Sequence, residues 1–243
     1  MKLFINPFLV SLIALLADSK SNASIIWKAG NNDNLSLTSS WWTSETGSTN
    51  PVSIGTADTL RLGGSGQGTS RTLSLGGNLA IGALRLDNNT GTPNYNATIS
   101  TGSTLTLNGN NDYTSGTVQG IVLNSASGGT LTIDADIIVA ASQRWVASRT
   151  LNINGNVNLG ANTLTLWTAA ATTTIAGVIS GTGGLTRDNS AGGISLLTGA
   201  NTYSGTTRID MGILRVTGSG ALGGTAGGSH DAGDIVFGAS NSN

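Results

Sequence analysis

Asp134 and Asp136 flank Ala135, so a strand would carry both carboxylates on one side. A pair of that kind serves glycoside hydrolysis or, with further acids, calcium binding. No third acidic residue stands close by in the sequence, and a solvated turn after Thr130-Leu-Thr-Ile133 is the plainer reading. His230 is the one histidine and cysteine is absent, which nearly excludes Ser-His and Cys-His nucleophile machinery. It lies in the Gly-rich run Gly223-Gly-Thr-Ala-Gly-Gly-Ser-His-Asp231, and with Asp231 and Asp234 it makes no recognisable metal-ligand spacing. Gly227-Gly-Ser-His-Asp231 also lacks the glycine before Asp that a calcium-binding nonapeptide repeat requires, and has no second copy. Arg187-Asp188 reads as a surface ion pair. No catalytic, cofactor or metal site is expected.

Aromatic residues carry the remaining chemistry. Trp27, Trp41 and Trp42 sit among Asn, Ser, Thr and Gly near the start of the chain. Clustered indoles can stack on sugar rings, or they can cover the open end of a repeat array with few residues. The cap is the favoured reading, with Trp41 and Trp42 the candidates for ligand contact under the other. Exposure of Trp41, Trp42, Tyr95 or Trp167 together in one groove would favour binding. Arg61, Arg85 and Arg215 each stand third in a four-residue strand unit, directed outward, and read as a solvated face.

The elements that position these residues are short. Charged residues make up only 9% of the chain while 38% is hydrophobic, a balance that argues for an ordered fold with a Thr/Ser/Asn surface. The net charge of −1 leaves no electrostatic footprint for nucleic acid. One unit recurs: Thr59-Leu-Arg-Leu62, Thr72-Leu-Ser-Leu75, Ala83-Leu-Arg-Leu86, Thr104-Leu-Thr-Leu107, Thr130-Leu-Thr-Ile133, Thr150-Leu-Asn-Ile153 and Thr163-Leu-Thr-Leu166. Each alternates polar and aliphatic residues, so a strand sends Leu or Ile to one face. Gly76-Gly-Asn78, Asn108-Gly-Asn-Asn111, Gly128-Gly129, Asn154-Gly-Asn156 and Gly181-Thr-Gly-Gly184 separate them and supply positive-φ positions.

Asn-Gly between strands also suits antiparallel hairpins, which makes a β-sandwich the competitor. The one-sided repetition favours an all-β, right-handed parallel β-helix. At roughly 22 residues and 4.8 Å per coil, residues 24–243 give at most about ten coils, a rod near 48 Å. Asn88 to Asn96 contains Pro93 and reads as a loop leaving the solenoid.

The segment Gly184 to Val216 holds Ile194-Ser-Leu-Leu197, Thr207-Arg-Ile209 and Ile213-Leu-Arg-Val216 between Gly/Asn/Ser turns. Its Gly184-Leu-Thr-Arg187, Gly199-Ala-Asn-Thr-Tyr-Ser-Gly-Thr-Thr207 and Gly212-Ile-Leu-Arg-Val216 resemble the autotransporter-associated β-strand repeat. The departures are Ser204-Gly-Thr, where many copies have two glycines, and the presence of a single clear copy. The resemblance implies a non-enzymatic passenger scaffold of a bacterial surface or secreted protein, the repeat assisting folding and translocation. An adhesin-like module binding glycan or a host surface is the alternative, and a polysaccharide-active β-helix enzyme the less favoured one.

In that reading Gly184, Leu185, Thr186, Gly199, Asn201, Thr202, Tyr203, Gly205, Thr206, Gly212, Leu214 and Val216 are structural residues of the motif. The partners implied are outer-membrane translocation machinery or a C-terminal barrel, expected to be missing from this stretch of sequence, and a surface glycan. The N-terminus agrees with export: Lys2, an apolar run from Leu3 to Ala17, then Ser21-Asn-Ala23 form a secretory signal cut after Ala23, with Ala17 the second choice. The expected organisation is a signal peptide over 1–23, a Trp-containing cap over 24–62 and β-helix repeats over 63–243.

Overall fold

The computed structural model describes residues 24–27, 34–37, 41–42, 53–62, 70–86, 96–111, 117–124, 128–189, 191–218, 220–223 and 235–238. Among these every regular element is a β-strand, and the strands fall into sheets of ten, seven and five. From Thr59–Leu62 to Ile179–Ser180 the chain visits the sheets in rotation, and beyond that its strands alternate between the first and second. Gln143–Ala147 lies on the first face, Thr150–Ile153 on the second and Val157–Asn158 on the third, before Leu164–Thr168 returns to the first. Every neighbouring pair is parallel except Ser24–Trp27 with Trp41–Trp42 at the edge of the first sheet. The result is a parallel β-solenoid of about six turns. The antiparallel competitor fails because consecutive strands sit on different faces and pair one coil away.

Register shows why the coils are evenly stacked in the later half. Gln143 stands beside Leu164, Leu164 beside Leu185 and Leu185 beside Thr207. Hydrogen bonds between successive coils there join residues 20, 21 and 22 apart. Earlier coils are longer: the Asn96 Oδ1 acceptor and the Thr130 N–H that reaches it are 34 residues apart. Longer coils lower the number of turns below the ten or so that uniform coils of about 22 residues would give.

Two assignments change with the third face. Thr104 belongs to it and pairs with Asp136, whereas Thr130 and Thr150 are true partners on the second. Arg61 and Arg85 are partners on the first face, but Arg215 lies on the second beside Leu196, so the three arginines form no single stripe.

All seven recurrent units turn their aliphatic residues inward. Leu60, Leu73, Leu84, Leu105, Leu131, Leu151 and Leu164 are each at most 1% exposed. Burial of each such side chain is worth roughly 1.5–3 kcal/mol, and in a strand it follows directly from the period of two. The corners obey a different rule. A Cβ on Gly155 would overlap the Ala135 carbonyl, one on Gly177 the Gly155 carbonyl, and one on Gly199 the Gly177 carbonyl. Gly183 and Gly205 form a second such column above Asn162. Gly76, Gly109, Gly129 and Gly181 do adopt positive φ as the turn reading expects, but Gly155 and Gly183 do not. Those two are glycine because one backbone lies directly on the next.

Toward the later coils the interior turns polar. Thr168 Oγ1 donates to Thr173 Oγ1 at 2.9 Å and lies 3.0 Å from Ser195 Oγ, all three buried. Arg187 is fully buried beside them. This corrects its reading as half of a surface ion pair: in Leu185–Arg187 the period of two that buries Leu185 buries Arg187 as well. Its guanidinium donates to backbone carbonyls of three coils: Thr168 O at 2.9 Å and Leu166 O at 3.4 Å, Gly193 O at 2.8 Å, and Ile213 O at 3.3 Å. Burial lowers its pKa and the nearby Asp188 charge raises it, the first effect being the larger.

Tyr203 closes the same end. It is fully buried, with its hydroxyl 2.6 Å from Thr207 Oγ1. Burial raises its phenol above the ordinary 10.0, partly opposed by the Thr207 hydrogen bond. The unfolded chain therefore loses this proton first. Stability is intact below about pH 10 and falls as pH rises toward the folded-state value. Tyr203→Phe is expected to lose about 1 kcal/mol at neutral pH and to flatten the alkaline decline, read from urea melts across about pH 9 to 11. An unchanged alkaline slope would assign the decline to other groups.

Candidate functional site: a groove on the first face

Outward residues of the first face form columns along the solenoid axis. One column runs Arg61, Arg85, Val122, Val146, Trp167. Alternation exposes Val146 and Trp167, whereas Val122 is only 5% exposed, in a strand, Gln119–Leu123, that is buried along its whole length. In Gln143–Ala147, Gln143, Trp145 and Ala147 are buried, which directs Arg144 and Val146 outward. In Leu164–Thr168, Leu164, Leu166 and Thr168 point in and Trp167 points out. The two tryptophans thus have opposite roles. Trp145 is a core residue whose Nε1 donates to Gln143 Oε1 at 3.2 Å, and Trp167 is a half-buried surface residue.

Val122, Val146 and Trp167 line a groove of about 260 Å³ together with Gln119, Asn124, Arg144 and Ser148. The two valines make an apolar strip, the indole stands at one end, and amide, hydroxyl and guanidinium groups stand around it. A β-bulge shapes the floor: Gln119 pairs with Arg144 and Ile121 with Trp145, leaving Gly120 as the extra residue. Gly120 must be glycine, because a Cβ there would overlap the Gln143 amide oxygen. That amide is itself fixed, its nitrogen donating to Leu107 O at 2.9 Å and Ala141 O at 3.0 Å.

The groove's cation is tied down. Arg144 Nη2 lies 3.2 Å from Asp188 Oδ2, a contact that spans two coils and passes the Leu164–Thr168 strand. The pair is partly exposed, with side chains 27% and 22% accessible, and contributes no more than about 1 kcal/mol to stability. Its effect is positional and electrostatic, since it holds the guanidinium in place and neutralises it.

The acidic pair lies elsewhere. Asp134 and Asp136 stand on either side of buried Ala135 and border an open concavity with Asn78, Thr101, Gly102, Ser103 and Thr104. Both carboxylates are engaged by the next coil: Asp134 Oδ1 accepts from Asn154 Nδ2 at 2.7 Å and Asp136 Oδ1 from Asn156 N at 2.8 Å. Asn156 repeats the device one coil on, accepting from Val178 N at 3.0 Å. These are coil-stacking contacts, and no Arg lines that concavity. Among the described residues no group of three or more His, Cys, Asp or Glu could hold a metal ion.

The motif residues of 184–216 sit at coil contacts. Leu185 is buried, while Thr186 faces outward between Thr165 and Arg208. Asn201 accepts from Ile179 N at 2.8 Å and donates to Ala221 O at 2.6 Å, joining three coils. Thr202 and Thr206 are exposed, with Thr202 N donating to Ile179 O and Thr206 O accepting from Leu185 N. A Cβ on Gly184 would press on Thr206 O, one on Gly199 on the Gly177 carbonyl and one on Gly205 on the Gly183 carbonyl. Gly212, at φ 82°, packs over the Arg187 guanidinium and the Asn189 carbonyl. Leu214 packs against the core and Val216 is exposed.

For Trp41 and Trp42 the backbone pairing is with Trp27 and Ile26 in the edge strand of the first sheet. The signal segment, Asn88 to Tyr95, His230, Asp231 and Asp234 lie outside the described residues. Sequence reasoning named Trp167 but missed Val122, Val146 and Arg144. The alternation in Gln143-Arg-Trp-Val-Ala147, set one coil from Leu164-Thr-Leu-Trp-Thr168, was the signal that finds them.

No protein-family model matches the chain, and no solved structure does. Over 98 residues, 40% of this chain, the sequence is 42% identical to the adhesin BmaC autotransporter of Brucella suis biovar 1 (strain 1330). The match covers 3% of that protein's length.

Proposed function

We propose that this chain is a stiff, non-enzymatic passenger segment of an exported bacterial surface protein. The observation that carries the reading is the stack itself: three parallel sheets in register, closed by glycine corners and coil-to-coil amide contacts. The similarity to an autotransporter adhesin supports the same direction. In this reading residues 1–23 are a signal peptide, 24–62 cap the first coil and 63–243 form the rod. The repeat at 184–216 assists folding and translocation, since it concentrates contacts that join three coils. The partner is an outer-membrane barrel or its machinery.

The test places residues 1–243 upstream of an autotransporter barrel in a Gram-negative host. Expected are N-terminal processing after Ala23, surface labelling of intact cells, and a folded core that resists added proteinase. Unprocessed chain inside the cell, or degradation at the rate of an unfolded control, would overturn the reading. A second, adhesin-like reading is favoured by one observation, the groove at Trp167.

A further inference from the structure

We infer that the groove formed by Val122, Val146 and Trp167 is a binding site for a neutral pyranose unit of a glycan chain. The inference deepens the adhesin-like reading and presumes a folded rod, but it does not depend on translocation.

Three features select this occupant. First, a pyranose has one face of C–H groups and a perimeter of hydroxyls. The groove offers a valine strip and an indole for the face, with Gln119, Asn124 and Ser148 at the margin for the perimeter. Second, the guanidinium lining the groove is held by Asp188 at 3.2 Å, so the site carries a paired cation and gains little from a carboxylate or sulfate on the sugar. Third, the lining comes from successive coils, Gln119–Leu123, Gln143–Ala147 and Leu164–Thr168, so the groove runs along the axis. Neighbouring strands stand about 4.8 Å apart, so a chain laid on that axis crosses Val122, Val146 and Trp167 on three successive coils.

The remaining concavities do not compare. The one beside Thr101 and Ser103 has both carboxylates bonded within the stack, and the one along Thr130, Thr150 and Thr172 has no aromatic wall.

The test uses the full 243-residue chain and saturation-transfer NMR. The probes are methyl glycosides of glucose, galactose, mannose and N-acetylglucosamine, with methyl glucuronide as the charged comparison. At least one neutral glycoside is expected to bind saturably with Kd near or below about 1 mM, with transfer strongest at its ring C–H protons. Trp167→Ala is expected to weaken that binding at least about tenfold, while Trp167→Phe retains most of it. Val146→Glu places a charge on the floor and is expected to abolish it. Because Trp167 and Val146 face outward, circular dichroism and the thermal midpoint of these variants should match the parent. A parent chain that is folded and protease-resistant but binds none of the neutral glycosides overturns the inference and leaves the scaffold reading intact. So does binding unaffected by Trp167→Ala, or preference for the glucuronide. Failure of the parent to fold would overturn the scaffold reading as well.

Discussion

Gly177→Val is expected to destabilise the solenoid by at least about 3 kcal/mol, a loss of about 10 °C in thermal midpoint for a chain of this size. Gly177 has no room on either side of its coil. Its own Cβ would overlap the Gly155 carbonyl, and its carbonyl is what a Cβ on Gly199 would overlap. The clash is with backbone, so no side-chain rotation relieves it, and separating the coils would break the ladder on all three faces. Ala176→Ser, at the exposed neighbouring position, is the control and should be within about 0.5 kcal/mol of the parent. Denaturant unfolding followed by far-UV circular dichroism checks both. A Gly177→Val chain as stable as the parent would mean that the corner can open, and the column would then be a preference and not a requirement.

Arg187→Met is the second large effect, and its sign is less obvious. Replacing a buried ion by a hydrophobe of similar length removes a desolvation cost, and in some proteins this stabilises. Here the guanidinium is the donor to carbonyls at Thr168, Gly193 and Ile213, on three coils, and methionine takes that donor from the buried Thr168 and Gly193 acceptors, the Ile213 bond being only partly buried. Each orphaned acceptor costs roughly 1–3 kcal/mol, so the acceptor term wins and the net loss is expected to be about 3 kcal/mol. Arg187→Lys should fall between, because an ammonium keeps the charge but cannot span three coils with a planar fork. Hydrogen exchange gives a readout that global melting does not. Amides of Ile194–Leu197 and Ile213–Val216 should lose protection before those of Thr150–Ile153. Equal stability of the methionine variant would show that the interior tolerates bare carbonyls at that corner.

The strands were legible because their signal is local. A Thr-Leu-x-Leu unit declares its inward face by its own alternation, and Thr130-Leu-Thr-Ile133 stacked on Thr150-Leu-Asn-Ile153 matches residue for residue. The face to which each unit belongs was not legible, because it depends on the length of chain between units. Thr104 and Thr130, which look like successive copies, lie on different sheets. Glycine was half legible. Positive φ at Gly109 or Gly181 follows from turn chemistry, but the need for glycine at Gly155 and Gly183 arises only when another coil lies against it.

The candidate site was harder to read for the same reason. Val122, Val146 and Trp167 are distant in sequence and become neighbours only through register. Arg187 shows the opposite failure. Its inward direction was written in the alternation of Leu185-Thr-Arg187, and charge alone argued for the surface.

A coil of this solenoid behaves as an interchangeable unit of length. The contacts of the later half reach one coil up or down, so removing or duplicating one whole step of 20 to 22 residues would present each remaining face with an equivalent neighbour. Changes that are not a whole step would have to be absorbed in the longer early coils, where register already tolerates departures. The Arg144–Asp188 pair is an exception, because it bridges 44 residues and skips a coil. The groove beside Trp167 is fixed to its own three coils, so any ligand it holds would be shifted along the rod axis by the number of coils added or removed on either side.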